Sequence, residues 1–187
     1  EAMRAAGVRR IVFSSTCATY GMPVRVPMDE DHPQDPINPY GASKRAGEEA
    51  VVARAGAHLV LRTAWVYGLH GKNFLLTMRR LAAERDALSV VNDQFGAPTW
   101  SRLVAEGATL ALARWLARAE PEADSGIYHL ACGGRASWHD FAAAILADCE
   151  RRNGKAVALA AIPSADYPTP AARPANSQLD CGKLERT

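Results

Sequence analysis

Two short apolar runs, joined by a segment of helical composition, constrain the fold more than any other feature of this sequence. The first run covers residues 10–13 and the second covers residues 58–62, and both are rich in aliphatic residues that favour buried strands. Between them, residues 40–54 are rich in alanine, valine and glutamate, and Gly56 closes the segment. A strand, a helix and a second strand in this order predict a right-handed parallel βαβ unit.

Small and hydroxyl-bearing residues follow each apolar run directly. Ser14, Ser15 and Thr16 come at the carboxyl end of the first predicted strand, and Thr63 and Ala64 come at the same end of the second. Open parallel sheets bind their ligands in the crevice outside the carboxyl ends of the strands. Because parallel strands bring those ends together, the sequence predicts a ligand site there.

A tyrosine and a lysine stand four positions apart at the start of the predicted helix, at Tyr40 and Lys44. Four residues make about one helical turn, so the two side chains point the same way. A positively charged ammonium one turn away favours the deprotonated form of the phenol. Such a pair can move a proton to or from an alcohol or sugar oxygen. The same spacing also occurs on ordinary solvated helices, and the hydroxyl-rich strand end upstream is what favours catalysis here.

These motifs together resemble the extended short-chain dehydrogenase/reductase family, in its nucleotide-sugar branch. Residues 13–21 (FSSTCATYG) and 38–44 (NPYGASK) are similar to the UDP-glucose 4-epimerases of that branch. The resemblance implies that Thr16 is the catalytic hydroxyl, Tyr40 the acid/base and Lys44 the residue that also holds the nicotinamide ribose. It further implies cofactor contacts at Ser14, Ser15, Tyr40, Lys44, Thr63 and Ala64.

The remainder of the chain resembles the dTDP-4-dehydrorhamnose reductases of the same family. The matching segments are 62–68 (RTAWVYG), 71–78 (GKNFLLTM), 92–99 (NDQFGAPT) and the proline-rich stretch 162–180. The resemblance implies substrate contacts at Thr16, Trp65, Asn73 and Arg173, with Trp65 as a wall for the hexose. It also implies that the proline-rich stretch is an ordered segment over the substrate cleft. A planar guanidinium suits phosphate oxygens, so Arg173 is a candidate partner for a diphosphate, with an exposed structural arginine as the alternative.

The resemblance implies an α/β fold containing the C-terminal part of a Rossmann-like parallel sheet and a small mixed substrate-binding region. Residues 1–68 would form the C-terminal half of the NAD(P)-binding domain, and residues 69–187 mainly the substrate-binding region. Residues 101–131 would return a helix and a strand to the first domain. The sequence contains no glycine-rich GxxGxxG loop, and we expect that loop and about four strands to precede residue 1.

The implied reaction is the NADPH- or NADH-dependent reduction of a dTDP-4-keto-6-deoxy-hexose to dTDP-L-rhamnose. Some members of the family use magnesium, although no residue pattern in this sequence forms an obvious site for it. Two alternatives stay open. One is a UDP-sugar 4-epimerase with tightly bound NAD, and the other is a non-catalytic NAD(P)-binding regulatory subunit.

Composition argues against several other classes of protein. A net charge of +2 without a basic run gives no indication of nucleic-acid binding. No stretch approaches the roughly 18 apolar residues that a membrane helix needs. Four cysteines without a CxxC motif favour a reduced, cytoplasmic context over metal binding or disulfides. We therefore expect a nucleotide-sugar substrate, no nucleic acid and no membrane, and we allow for a homodimer.

Several local predictions concern the connections between elements. The acidic, proline-rich residues 21–39 are expected to form a solvated loop. Thr99 or Ser101 is expected to cap a helix over 103–118, and residues 121–125 to form a polar linker. Ser137 is expected to cap a further helix, with Asp140 at its third position.

Overall fold

The computed structural model describes residues 2–118, 125–169 and 171–187. The helices are α1 (Ala2–Ala5), α2 (Pro39–Arg54), α3 (Phe74–Glu84), α4 (Ser101–Leu116), α5 (Trp138–Asn153) and α6 (Gly182–Glu185). The strands are β1 (Arg10–Thr16), β2 (Ala57–Thr63), β3 (Val66–Tyr67), β4 (Ala87–Val91), β5 (Phe95–Gly96), β6 (Thr99–Trp100), β7 (Gly126–His129), β8 (Ala136–Ser137) and β9 (Ala158–Ile162). Short 3₁₀ turns cover Cys17–Thr19 and Ser164–Asp166. Of the predicted linker, residues 121–124 lie outside the described residues.

The predicted βαβ unit forms the first sheet and is extended by a third strand. Strands β1 and β2 are parallel, with Arg10 beside Ala57 at one end and Thr16 beside Thr63 at the other. Strand β7 pairs in parallel with the other edge of β2, which gives the strand order β1-β2-β7. The α/β class and its Rossmann-like parallel sheet are thereby confirmed. The division of the chain at residue 68 stays a prediction.

Helix α2 starts where the sequence provides the right capping residues. The Asn38 side chain accepts a hydrogen bond from Gly41 N at 2.8 Å, and Pro39 stands in the first turn, where its missing N–H costs nothing. The helix lies close to β1 because Gly47 carries no side chain. A Cβ at that position would stand 2.7 Å from the Phe13 ring. The start of α2 is therefore fixed relative to the end of β1.

The second half of the chain builds its own core around α3 and α5. Strand β4 pairs in parallel with β9, and both helices pack against this pair. The buried members of this cluster are Met78, Ala82, Leu88, Val90, Ala142, Ile145, Leu146 and Cys149. Strand β9 was not predicted, because its alanine-rich sequence ALAAI has a weak strand pattern. In the structure this strand is largely exposed.

A separate cluster packs α4 against the first sheet. Its buried members are Ala57, Leu59, Leu61, Trp115 and Tyr128. Two minor pairings complete the fold: β3 with β6 connects the two halves of the chain, and β5 with β8 lies within the second half. No helix in the described ranges is long and apolar enough to cross a membrane.

The two predicted helix caps have different outcomes. For α5 the prediction is confirmed: Asp140 N donates to Ser137 Oγ at 3.0 Å, and Ser137 N donates to Asp140 Oδ2 at 2.8 Å. For α4 it is wrong, because the helix begins at Ser101 without a side-chain cap. The Thr99 hydroxyl is used elsewhere: it donates to Ala97 O at 3.0 Å and accepts from Cys132 N at 3.2 Å.

Candidate active site

The carboxyl ends of β1 and β2 bring two threonines side by side. Thr16 and Thr63 are register partners, and both are buried. Thr63 Oγ1 donates to Ser15 O at 3.3 Å, which ties the two strand ends together. Thr16 Oγ1 accepts from Ala18 N at 3.2 Å and so caps the 3₁₀ turn that follows. A hydroxyl oxygen keeps a second lone pair and a rotatable proton, so Thr16 can still bond a ligand oxygen.

Tyr40 lies in the first turn of α2 with 56% of its surface exposed. The next residue, Gly41, brings this turn into contact with the turn after Thr16, since a Cβ on Gly41 would stand 2.2 Å from Ala18 O. The phenol is therefore presented to solvent from a backbone that is held firmly against the strand end. This placement agrees with the predicted acid/base role, which remains a prediction.

Lys44 lies one turn after Tyr40 and reaches across to β1. Its Nζ donates to Ser14 O at 2.9 Å and lies 5.2 Å from the centroid of the Phe13 ring. An ammonium has three N–H donors, and this bond uses one of them. Lys44 is thus anchored at the strand end that also carries Thr16, and its predicted role stays a prediction.

Ser15 points to the opposite side of β1 and is taken up by an internal contact. Its Oγ donates to Glu48 Oε1 at 2.5 Å. The predicted contact between Ser15 and a cofactor stays a prediction, but the structure shows a different partner for its hydroxyl.

Glu48 and Arg62 form a buried ion pair behind the site. Arg62 Nε donates to Glu48 Oε1 at 2.8 Å and Nη2 to Oε2 at 2.6 Å, which is the bidentate geometry that suits a guanidinium and a carboxylate. Gln34 Nε2 adds a bond to Oε2 at 3.0 Å. Burial alone would raise the pKa of Glu48, but the hydrogen bonds from Arg62 and Ser15 outweigh it and hold that pKa below its ordinary value.

Tyr20 extends the ion pair into a chain of hydrogen bonds. Arg62 Nη1 donates to the Tyr20 hydroxyl at 2.5 Å, and that hydroxyl lies 2.5 Å from His129 Nε2. His129 Nδ1 lies 2.9 Å from Asp180 O, a carbonyl that can only accept. In neutral His129 the proton is therefore on Nδ1, so Nε2 accepts a hydrogen bond from the Tyr20 hydroxyl. Burial lowers the pKa of His129 and raises that of Tyr20, so both stay uncharged near neutral pH.

One acid of the loop that was predicted to be solvated is engaged in the fold, while Asp31 and Asp35 of the same loop are exposed as predicted. Glu30 is half-buried, and its Oε1 accepts a hydrogen bond from His129 N at 2.8 Å. The Glu30 carboxylate thus binds a backbone N–H of β7 and ties this loop to the first sheet.

Cys17, next to Thr16, is not suited to act as a nucleophile. Burial raises the pKa of its thiol to about 11, so the thiolate is scarce at neutral pH. All four cysteines of the chain are free thiols.

Trp65 is the only non-glycine residue with a positive φ among the described residues, at 48°. Its ring stacks on Trp138, with centroids 3.6 Å apart and planes 3° apart. Gly96 makes room on another side, since a Cβ there would stand 2.4 Å from Trp65 Cε2. Strained backbone of this kind is concentrated at functional sites. The position agrees with the predicted hexose wall, which stays a prediction.

Asn73 and Arg173 have different surroundings. Asn73 caps α3: its Oδ1 accepts from Leu76 N at 3.2 Å, and its Nδ2 donates to Gly68 O at 2.9 Å. Both ends of the amide are therefore engaged in the chain itself. Arg173 lines a cavity of about 730 Å³ together with Arg85, Phe74, Trp138 and Tyr167. Their predicted roles as substrate contacts are not tested by these positions.

The C-terminal stretch is ordered by contacts on both sides. Phe95 N donates to Ala175 O at 2.9 Å, and Ser177 N donates to Phe95 O at 2.8 Å. Met28 exchanges two further bonds with this stretch, accepting from Asp180 N at 2.7 Å and donating to Gln178 O at 2.9 Å. The predicted order of this proline-rich segment is confirmed for the residues described, while its place over a substrate cleft stays a prediction.

Sequence reasoning missed the residues that support the site. Glu48, Arg62, Tyr20 and Trp138 received no role, and His129 was expected only to pack or to form hydrogen bonds. A glutamate in an amphipathic helix and an arginine at a strand end both have ordinary surface explanations. The one available signal was Arg62, a charge that directly follows the apolar residues Leu59, Val60 and Leu61.

No group of three or more histidine, cysteine, aspartate or glutamate side chains is arranged to hold a metal ion within residues 2–118, 125–169 and 171–187. No step is assigned to the magnesium that the family resemblance allows.

A parallel sheet with hydroxyls at its strand ends, and a tyrosine and a lysine one turn apart on the crossover helix, defines an α/β protein of the nucleotide-sugar short-chain dehydrogenase/reductase class. The match to a family model is more specific. Residues 1–187 match the model described as the RmlD substrate binding domain, and the chain belongs to that family.

Several curated relatives are named dTDP-4-dehydrorhamnose reductase. The chain is 45% identical to the one from Salmonella typhimurium over 164 residues, which are 86% of this chain and 54% of that protein. It is 48% identical to the one from Burkholderia thailandensis over 158 residues, 82% of this chain and 53% of that protein. The chain thus spans about half the length of these relatives.

Solved structures give the same family. The dTDP-4-dehydrorhamnose reductase of Bacillus anthracis in complex with NADP has a TM-score of 0.82 and 32% identity, over 99% of this chain and 61% of that one. UDP-glucose 4-epimerase of Brucella ovis in complex with NAD has a TM-score of 0.73 at 23% identity, over 99% of this chain and 60% of that one, a likeness of fold alone.

Proposed function

We propose that this chain forms the catalytic and substrate-binding part of an NAD(P)H-dependent reductase that converts a dTDP-4-keto-6-deoxy-hexose to dTDP-L-rhamnose. The observation that carries the proposal is that the turn of α2 with Tyr40 and Lys44 is held against the end of β1, which also carries Thr16. The chain that shows this arrangement is 45% identical to a dTDP-4-dehydrorhamnose reductase. The epimerase alternative has support only from residues 13–21 and 38–44 and from a likeness of fold.

In this proposal the protein's own residues handle the ketone oxygen. Reduction of a ketone adds a hydride to the carbon and a proton to the oxygen. Tyr40 gives its phenolic proton to that oxygen, and Thr16 donates a hydrogen bond to it. Lys44 stands one turn from Tyr40, and its positive charge compensates the phenolate that remains.

The residues at the strand ends fit a nicotinamide cofactor. Lys44 has N–H donors beyond the one used on Ser14 O, and it would hold the ribose, with Thr63 and Ala64 beside it. When bound, a reduced nicotinamide supplies the hydride.

The cavity of about 730 Å³ suits the nucleotide part of the substrate. Its lining combines the aromatic rings of Phe74, Trp138 and Tyr167 with the guanidinium groups of Arg85 and Arg173. Aromatic rings suit a base, and guanidinium groups suit a diphosphate. The cytoplasmic location and the homodimer expected from the sequence stay predictions.

The test uses a completed hybrid, in which this chain is joined to the part of the Salmonella typhimurium relative that lies outside the match. We expect the hybrid to oxidise NADPH in proportion to added dTDP-4-dehydrorhamnose. The oxidation is measured as the loss of NADPH absorbance. Tyr40→Phe removes the proton donor and is expected to lower kcat about 100- to 10,000-fold.

The matched control is Tyr128→Phe, which removes a hydroxyl from a tyrosine that packs in the cluster beneath α4. It should leave kcat within about twofold of the parent hybrid, because the Tyr128 side chain packs between α4 and the sheet, in the cluster with Leu61 and Trp115. Retained NAD with interconversion of UDP-sugars would establish the epimerase instead. A folded hybrid that binds NADPH without turning over either substrate would favour the non-catalytic alternative.

A further inference from the structure

The stack of Trp65 on Trp138 joins two elements that are far apart in the sequence, the end of β2 and the start of α5. Trp65 follows the end of β2, two residues after Thr63, the register partner of Thr16. Trp138 is the first residue of α5 and lines the cavity of about 730 Å³. The stack therefore links a wall of that cavity to the residue that follows the end of β2.

Trp138 is itself held firmly. The Ser137–Asp140 capping box fixes the first turn of α5, in which Trp138 stands. Phe74 packs on Trp138 with ring centroids 4.7 Å apart, and Phe74 in turn packs on Phe141 at 5.4 Å. The indole of Trp138 is thus a rigid surface rather than a side chain that fits itself to Trp65.

Trp65, in contrast, depends on its neighbours. Its left-handed backbone is unfavourable for a bulky residue and persists only where surrounding contacts impose it. Three contacts do so: Trp65 O accepts from Thr99 N at 3.1 Å, Gly96 leaves space at one edge, and Trp138 covers one face. Of the three, only Trp138 also lines the cavity.

We propose that Trp138 is a positioning residue for the sugar, which fixes the plane of Trp65 and links a nucleotide in the cavity to a hexose at the strand ends. This inference rests on the proposed function. Misplacement of a reacting group by about 1 Å costs about 100-fold in rate. A displaced Trp65 would misplace the sugar and so lower kcat.

The first measurement is fluorine NMR of the 187-residue chain labelled with 5-fluorotryptophan. The four tryptophans give four signals, which single tryptophan-to-phenylalanine variants assign. Trp138→Leu removes the ring that lies 3.6 Å from Trp65, and we expect the Trp65 signal to move. The matched control is Phe141→Leu, which removes a ring of the same cluster that packs on Tyr67 and Phe74 but not on Trp65. It should leave the Trp65 signal in place.

The second measurement adds dTDP as the probe. We expect dTDP to move the signals of both Trp138 and Trp65, and the response of Trp65 to be lost in Trp138→Leu but kept in Phe141→Leu. In the completed hybrid, Trp138→Leu should lower kcat/KM about 10- to 100-fold, with a fall in kcat and not only a rise in KM. Trp138→Phe keeps an aromatic face and should restore part of the loss.

The two proposals fail in different ways. A Trp65 signal and a kcat that are unchanged in Trp138→Leu would overturn the positioning role, whatever the substrate. A parent hybrid that does not consume NADPH with dTDP-4-dehydrorhamnose would overturn the proposed function, and with it the link to a dTDP-sugar. If Trp138→Phe does no better than Trp138→Leu, the stacked ring is not what matters, and the positioning role is again overturned.

Discussion

Arg62 and Glu48 are two charged side chains that are only 1% and 3% exposed. Removing two charges from water is costly, and their mutual attraction compensates for it only when geometry is good and the remaining polar atoms are bonded. Both conditions hold here, because the pair is bidentate and Ser15, Gln34 and Tyr20 complete its hydrogen bonds. The pair also joins α2 to β2, the two elements that carry Tyr40 and Thr63.

Arg62→Met is expected to lower the free energy of unfolding by about 3–5 kcal/mol, because it leaves the Glu48 carboxylate buried and without its partner. The measurement is urea unfolding of the completed hybrid at neutral pH. The double variant Arg62→Met with Glu48→Leu should recover much of the loss, because no buried charge is then left unpaired.

Arg80→Met is the matched control for that substitution. Arg80 also pairs with a glutamate, Glu84 at 2.8 Å, but its side chain is 60% exposed. Exposed pairs contribute little, so this variant should stay within about 0.5 kcal/mol of the parent. Equal losses in the two variants would show that burial of the Arg62–Glu48 pair has no special weight.

At the residue scale, the sequence predicted the candidate catalytic residues but not the buried residues that position them. Tyr40 and Lys44 were identified from a local spacing along one helix. Arg62 and Glu48 are 14 positions apart in different elements, and no local pattern connects them. The stack of Trp65 on Trp138 is invisible for the same reason.

Helix α2 shows how an element, rather than a residue, sets the position of the site. Its start is fixed by the Asn38 cap and by the contact of Gly41 with the backbone at Ala18. The helix itself was predicted from the alanine, valine and glutamate pattern of residues 40–54, with Gly56 after it. The closeness of Gly41 to Ala18 is tertiary and had no sequence signal.

Gly41→Ala is expected to lower kcat of the completed hybrid about 10- to 100-fold. The new Cβ would stand 2.2 Å from Ala18 O, a backbone atom that cannot rotate away as a side chain can. The first turn of α2 must therefore shift, and Tyr40 shifts with it. The measurement is NADPH oxidation, with KM for the sugar determined in parallel. The control is Gly133→Ala, where a Cβ has nothing within 4 Å, and it should leave kcat within about twofold. A normal kcat in Gly41→Ala would show that the start of α2 can adjust without affecting the chemistry.

Elements without strong local signals were the ones that the sequence did not predict. Strand β9 is alanine-rich and gains its pairing only from β4. The absent cap of α4 has a similar cause: the Thr99 hydroxyl is drawn to Ala97 O and Cys132 N, and the second of these comes from a distant part of the chain. Long-range partners overrode local preference in both places.

On the scale of the whole molecule, His129 ties together three stretches that are far apart in the sequence. Its ring contacts Tyr20 and Asp180 O, and its backbone N–H donates to Glu30. Glu30 favours protonation of the ring and Arg62 opposes it, while burial is the largest effect and lowers the pKa of His129.

The free energy of unfolding is expected to fall as pH decreases below about 6.5, the ordinary pKa of histidine. Because the pKa of His129 is lowered in the folded chain, the unfolded chain binds more protons below that pH, and the fold loses stability until the lowered pKa is passed. The measurement is urea unfolding of the completed hybrid at a series of pH values. His129→Gln cannot titrate and should flatten this slope relative to the parent.

His70→Gln is the control, since His70 is exposed in the loop before α3. It should leave the slope unchanged. A slope that is equally steep in His129→Gln would contradict the assignment of this pH dependence to His129. Glu48 gives a separate effect at lower pH, because its lowered pKa means that its contribution is lost only as pH falls through that value.

The register of β1 and β2 has a consequence for how this protein can change over evolution. Ser15 lies beside Arg62, and Thr16 lies beside Thr63. Successive side chains in a strand point to opposite faces. One residue inserted or deleted in β1 would exchange those faces. The Thr16 hydroxyl would then lie among the buried charges, and Ser15, a partner of Glu48, would lie in the site. A substitution in either strand therefore keeps the two faces, whereas a one-residue insertion or deletion within it would exchange them.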